Sequence, residues 1–221
     1  MAAPTELIYV FLALGIIVFL AVSRLFYVFF NLGKNGSFKD PHKKIKTLVI
    51  AGSGGHTTEM LRLLSAMSDT YSPRHYVIAN TDKMSEDKIK TMEAERHKHS
   101  KELQFQIIRI PRSREVRQSY MTSIVSTLYA TFYAFPIVFK AAPDLVLCNG
   151  PGTCIPLCAA AFIMRFLGIK PVIQVYVESI CRVENLSVSG LIMYYFADHL
   201  LVQWPQLKDK YPKSLYLGRV V

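Results

Sequence analysis

No CxxC pair occurs in this sequence. Its four cysteines, Cys148, Cys154, Cys158 and Cys181, all lie among apolar or small residues. Cys154 and Cys158 would share a helix face, which is half of a metal site with no second half nearby. The pattern suits thiols packed as small hydrophobes in a reducing compartment. Charge is also scarce: 19% of residues are charged against 51% hydrophobic, which excludes global disorder and leaves ample material for a core. What charge there is leans positive, 26 Lys and Arg against 16 Asp and Glu, for a formal +10. That balance favours an anionic partner: nucleic acid, an acidic membrane face or a phosphorylated ligand. Nucleic acid is the weakest of the three. There is no long basic run with interleaved aromatics, and no helix-turn-helix, zinc-finger or RNP pattern. Internal repeats and low-complexity tracts are absent too. A chain of 221 residues holds one ordinary domain, and is too short for two once an anchor is set aside.

An anchor is present. From Leu7 to Phe30 the chain is apolar apart from Ser23 and Arg24, long enough to span a hydrocarbon core, with Arg24 placed to snorkel and Tyr27 to join an interfacial belt. A cleaved signal peptide would need a basic start and a small-x-small site; only Glu6 is charged before the run, and no such site follows. Lys34, Lys39, Lys43, Lys44 and Lys46 follow the span, whereas no Lys or Arg precedes it. The positive-inside rule therefore puts the bulk of the chain in the cytosol. The expected division is a short lumenal N-terminus over 1–6, a transmembrane anchor over 7–30, a basic linker over 31–44 and a cytosolic domain over 45–221.

The domain alternates short apolar runs with helical stretches. Strands are expected to end at Ala51, Ala79, Ile110, Cys148, Val177, Gln203 and Gly218. Most are continuous rather than alternating, as in strands covered on both faces. Helices fit over Thr57 to Ser68, Gln118 to Phe139, Cys154 to Leu167 and Ser187 to Phe196, so the order predicts an α/β fold with one Rossmann-like, doubly wound parallel sheet. Asp82 to Glu102 is densely charged and reads as a solvated helix or loop, with His97 and His99 as surface residues. In the helix from Gln118, Met121, Ile124, Val125, Leu128, Tyr129, Phe132 and Tyr133 recur at helical spacing. Core packing is the default for that face, with membrane contact the alternative that Arg112, Arg114 and Arg117 keep open.

Chemistry concentrates at three strand ends. After the first strand, Gly52, Ser53, Gly54 and Gly55 form a loop that opens a helix at His56 or Thr57, aiming amides and the positive dipole end at a phosphate or diphosphate. No Gly-Lys-Ser/Thr follows, so this is not a P-loop; Thr57 stands where a dinucleotide fingerprint has its third glycine, and no ribose-binding acid ends the second strand. His56 can act as a general base, cap the helix or bind phosphate. A second loop, Asn149, Gly150, Gly152 and Thr153, follows another strand. Glu178 and Arg182 follow a third; Glu178 could hold a sugar hydroxyl or take a proton, Arg182 could pair with phosphate, or the two could be a plain ion pair. Arg112 and Arg114 with Glu115 add to the basic rim.

The anchor together with VIAGSGGHTTEMLRLL, SPRHYVIA, IPRSREVRQS, DLVLCNGPGTCIP, VYVESICRVE, VQWP and YLGR resembles the Alg14 family over nearly the whole chain. That family comprises the membrane-anchoring subunits of the eukaryotic UDP-N-acetylglucosamine transferase of asparagine-linked glycosylation. The resemblance implies the acceptor-side, N-terminal half of a GT-B glycosyltransferase, similar to the first half of the bacterial enzyme MurG. It implies a soluble Alg13 partner that supplies most of the UDP-GlcNAc site, and addition of the second GlcNAc to dolichyl-diphosphate-GlcNAc at the endoplasmic reticulum membrane. It extends to a larger complex with the first-step GlcNAc-phosphate transferase. It implies no cofactor and no bound metal. By the same resemblance Gly54, Gly55 and His56 lie near the acceptor diphosphate, with His56 the first candidate to contact the 4-hydroxyl of the acceptor sugar and Glu178 the alternative. The tail, with Tyr216, Leu217, Val220 and Val221, becomes a docking strand for the partner. A pure scaffold with no catalytic residues, or a subunit of another lipid-linked sugar transferase, remain the rival readings.

Overall fold

The computed structural model describes residues 4–34, 43–99, 104–112, 120–150 and 152–221. Lys39, Arg114, Glu115 and Arg117 lie outside the described residues. The chain opens with α1 (Pro4–Phe30) and then alternates strands and helices. These are β1 (Thr47–Ile50), α2 (Gly55–Ser65), β2 (Arg74–Ala79), α3 (Lys83–His99), β3 (Phe105–Ile110), α4 (Tyr120–Ala141) and β4 (Leu145–Asn149). They continue as α5 (Cys154–Phe166), β5 (Ile173–Val177), α6 (Val188–Phe196), β6 (His199–Val202), α7 (Pro205–Lys210) and β7 (Leu215–Tyr216). All seven expected strands are present, in one parallel sheet of order β3-β2-β1-β4-β5-β6-β7. The order reverses between β1 and β4, where Ile50 pairs with Cys148, and ligands of such sheets bind beyond the strand ends at that crevice.

Both faces of the central strands are covered, which is why most of the strands read as continuous apolar runs. Met60 and Leu64 of α2 and Ile89 of α3 pack with Val49, Tyr76 and Val177 on one side. On the other, Ala134 and Val138 of α4, Leu157 and Ala161 of α5 and Met193 of α6 pack with Leu48, Val146 and Tyr176. The charged stretch after Asp82 is a helix that does reach the core: Glu93 is fully buried beside Arg74, 3.7 Å away, and accepts from Tyr76 Oη.

The α4 face assigned to the core is instead the exposed one. Met121 and Phe132 are each 77% exposed, and Ile124, Val125, Leu128, Tyr129 and Tyr133 are exposed as well. The buried stripe is Ala130, Ala134, Val138 and Ala141, small residues that let the helix lie close to Ala160 and Ala161 of α5. Bulk decided this packing: large side chains at the first face would hold the two helices apart.

By length and composition α1 can cross a membrane. At about 1.5 Å per residue it is ~40 Å long. Its last turns are fastened to the domain. Arg24, expected to snorkel, instead donates to the carbonyls of Phe166 and Arg165 at 2.9 and 3.1 Å, capping the end of α5. Both Asp198 oxygens accept from Arg165 Nη1, at 2.7 and 2.9 Å, and Oδ1 also accepts from the Gly33 amide at 3.0 Å. Phe29 packs on Phe162 and Phe196 with ring centroids 5.5 and 5.6 Å apart.

Candidate active site

The strand register brings the sequence-separated loops together. β1 pairs with β4 and β4 with β5, so the chain leaving Ile50, Asn149 and Val177 emerges at one edge. There Gly55, His56, Glu59, Gly150, Glu178, Ser179, Cys181, Arg182 and Ser187 line a cavity of about 300 Å³. Gly54 precedes the first turn of α2 at φ +69°, a conformation that suits glycine, and no side chain caps the helix there, leaving the first amides turned toward the loop.

His56 is held by a hydrogen-bonded chain. Its Nδ1 lies 3.0 Å from Asn149 Oδ1, and Asn149 Nδ2 donates to Glu59 Oε2 at 2.9 Å. Ser179 Oγ donates to the other oxygen of Glu59 at 2.8 Å. A carboxylate accepts only, so Glu59 fixes the NH2 side of the Asn149 amide toward itself and the oxygen toward His56. Nδ1 must then carry a proton, and in the neutral imidazole this leaves the lone pair on Nε2. The His56 side chain is 35% exposed, whereas Asn149 is buried. The imidazole also rests directly over Gly150: a Cβ at that position, where φ is +73°, would sit 2.3–2.4 Å from the ring.

Glu178 is fully buried, and its carboxylate is already bonded. Oε2 accepts from Ser187 N and Oγ at 2.9 and 3.0 Å, and Oε1 from Ser179 N at 3.1 Å. Burial raises its pKa, and the amides of Ser187 and Ser179 act against that rise. Gly190 makes this arrangement fit, since a Cβ there would meet Oε2 at 2.1 Å. The carboxylate thus closes the N-terminus of α6, where negative charge is favoured.

A second cavity of about 340 Å³ lies on the other flank of the first glycine loop. Ser53, Gly54, Thr81, Lys83, Lys88 and Arg112 line it.

These features match a known group. A family model described as oligosaccharide biosynthesis protein Alg14 like matches residues 47–220. A human protein named UDP-N-acetylglucosamine transferase subunit ALG14 is 56% identical over 82% of this chain and 85% of its own length. The chain belongs to the Alg14 family. A subunit of the same name from Yarrowia lipolytica is 40% identical over 96% of this family member and 98% of its own length. Among solved structures, Acinetobacter baumannii MurG superposes with a TM-score of 0.50 at 18% identity, over 78% of this Alg14 family chain and 45% of MurG. That likeness concerns the fold, and it agrees with the Rossmann-like, GT-B-type sheet.

Of the expected site residues, Gly55, His56, Gly150, Glu178 and Arg182 share the first cavity, while Ser53, Gly54 and Arg112 line the second. Asn149 reaches the first through His56. Thr57 does not face a ligand: its hydroxyl is buried, donates to the Gly52 carbonyl and meets Ser85 Oγ, tying the loop to the start of α3. Gly52 is buried beneath the loop, and Gly152 and Thr153 are half-buried at the start of α5. Arg114 lies outside the described residues. In the tail, Tyr216 and Leu217 are exposed, but Val220 and Val221 pack against the chain's own core and the Val220 amide donates to Gln203 Oε1 at 3.0 Å. Two residues escaped the sequence reading. Glu59 sits one turn into α2, where a carboxylate ordinarily reads as solvated. Cys181, expected buried, is exposed in the first cavity, whereas the other three thiols are buried.

Proposed function

We propose that this chain is the membrane-anchored, acceptor-side subunit of a two-part transferase. That enzyme adds the second GlcNAc to dolichyl-diphosphate-GlcNAc, and a soluble Alg13-type partner supplies most of the UDP-GlcNAc site. The names carried by its relatives support a UDP-GlcNAc transferase subunit. The single observation that carries a catalytic share for this chain is His56, held with Nδ1 on Asn149 so that Nε2 is free at the mouth of the glycine loop.

In this scheme the acceptor diphosphate lies against Gly54 and Gly55 at the N-terminus of α2, where amides and dipole favour an anion. Arg112 and Arg182 give the rim its positive charge. The 4-hydroxyl of the acceptor sugar donates to His56 Nε2. Its oxygen forms a bond to C1 of the donor GlcNAc as the C1–O bond to UDP breaks, UDP leaves with the electron pair, and the hydroxyl proton ends on His56. Glu178 serves as a positioning residue that holds α6, Ser187 and Ser179 in place. No metal and no cofactor takes part.

The anchor α1 crosses the endoplasmic reticulum membrane once, with residues 1–6 lumenal and 45–221 cytosolic, as the basic flank favours. The exposed apolar stripe of α4 rests on the cytosolic face of the same membrane. Tyr216 and Leu217, exposed at the sheet edge, contact the partner. A larger assembly with the first-step GlcNAc-phosphate transferase would use surfaces beyond these.

The test is transfer of labelled GlcNAc from UDP-GlcNAc to dolichyl-diphosphate-GlcNAc by this chain alone, the soluble partner alone and both together. Activity only in the mixture is expected. Activity from this chain alone refutes the two-part reading, and activity from the partner alone favours a scaffold.

A further inference from the structure

Helices α5 and α6 lie side by side on the sheet and leave between them a groove of about 220 Å³. Ile155, Ala159 and Phe162 form one wall, with Ile192, Met193 and Phe196 on the other, and every residue lining it is apolar. Ile192 and Phe196 are about 40% exposed, so this is hydrocarbon surface left open rather than sealed core. Its two ends give it meaning. At one end the helices that carry the two walls begin beside the catalytic cavity: α5 starts just after the Asn149–Gly150 loop and brings Ile155 to the groove, and α6 starts after Ser187, which lines that cavity, about one turn before Ile192. At the other end Phe162 and Phe196, 5.4 Å apart, close on Phe29 of the anchor helix. The α5 residues that line it, Ile155 to Ile163, span ~12 Å.

We infer that this groove holds the hydrocarbon chain of the lipid-linked acceptor, running from the diphosphate at the glycine loop toward the anchor. The inference rests on the function proposed above. A chain attached to a diphosphate in that cavity must leave it along some path, and water is the most costly one. The α5–α6 groove is an apolar path whose walls begin within about a turn of the cavity and end on the helix fastened to the bilayer. A bilayer phospholipid has no need of the catalytic end, and a partner helix has no need of the anchor end. The acceptor lipid needs both.

The experiment uses the full-length chain assembled with its soluble partner in detergent. Two acceptors carry the same GlcNAc-diphosphate head, one on a chain of four isoprene units and one on a single unit. Ala159→Trp fills the groove, and Ile192→Glu puts a charge on its exposed wall. Neither residue belongs to the catalytic cavity. Expected is a KM for the four-unit acceptor raised roughly tenfold in both variants, with kcat and single-unit transfer unchanged. Equal effects on both acceptors, or on neither, overturn the groove. So does loss of partner assembly, which would make the groove a protein interface, or weaker vesicle flotation with unaltered chain-length preference, which would give it to bilayer lipid. Failure of the unmodified complex to transfer to either acceptor sinks the function itself. Single-unit transfer without a chain-length effect sinks the groove alone.

Discussion

Replacing Gly150 by alanine tests the geometry of His56 without touching the imidazole. The residue has φ +73°, which costs a non-glycine residue about 1–2 kcal/mol. The new Cβ would lie 2.3 Å from Cε1 and 2.4 Å from Nδ1 of His56, far inside contact distance. Because the imidazole ends a rotatable side chain, it is the ring that gives way, and the bond to Asn149 is lost, a further ~1 kcal/mol. The total, about 2–3 kcal/mol, leaves the domain folded if it has the usual 5–15 kcal/mol of stability. On the proposed role of His56 the catalytic loss is larger, since removing a positioned base lowers turnover about 10²–10⁴-fold. Gly150→Ala in the assembled complex should therefore lose most of kcat with a Tm lower by roughly 4–12 °C. In a His56→Ala background, Gly150→Ala should add almost nothing. Near-normal kcat in Gly150→Ala beside a dead His56→Ala would refute the reasoning, as would fully additive losses.

Other expectations follow from burial and charge. Cys181 is the exposed thiol, whereas burial raises the Cys148 and Cys154 thiols above their ordinary value. A maleimide should thus modify Cys181 first and block transfer, acceptor should slow that reaction, and Cys181→Ala should be insensitive; inhibition that persists in Cys181→Ala would count against the cavity. Glu178 has a raised pKa in the fold, so the native state binds its proton at higher pH than the unfolded chain does. Between the unfolded value of 4.5 and the raised folded one, this group's contribution to stability falls as pH rises, and Glu178→Gln should flatten that slope in denaturant titrations; an unchanged slope would show that the folded value is not raised. Asp198→Ala strips the paired charge from buried Arg165 and the acceptor from the Gly33 amide. A loss of about 3–5 kcal/mol and faster proteolysis between α1 and the domain are expected, and wild-type protease resistance would show that the junction does not depend on it.

The sheet was legible because parallel strands covered on both faces must be largely apolar, as β1 and β4 at its centre are, while the charged and polar residues fall mainly in strands nearer its edges, such as Arg109 in β3. The glycine loops were legible because glycine takes the φ near +70° found at Gly54 and Gly150 without the penalty that other residues meet there. Helix faces were less so. In α4 both faces are apolar, and periodicity could not say that alanines rather than phenylalanines and tyrosines meet α5. Charged side chains caught in long-range bonds were not legible at all. Glu59 reaches Asn149 and Ser179, 90 and 120 residues away, and Arg24 reaches carbonyls more than 140 residues on. Such pairings exist only once the strand order brings their elements together.

The account turns on whether part of the chemistry belongs to this chain. The most direct test is a single-turnover measurement of GlcNAc transfer in purified complex of this chain and its soluble partner, wild type against His56→Ala, with assembly checked by co-elution. A mutant complex that assembles, binds acceptor and transfers about 10²–10⁴-fold more slowly is the predicted result. Transfer at the wild-type rate would remove His56 from the chemistry and leave this chain as anchor and scaffold.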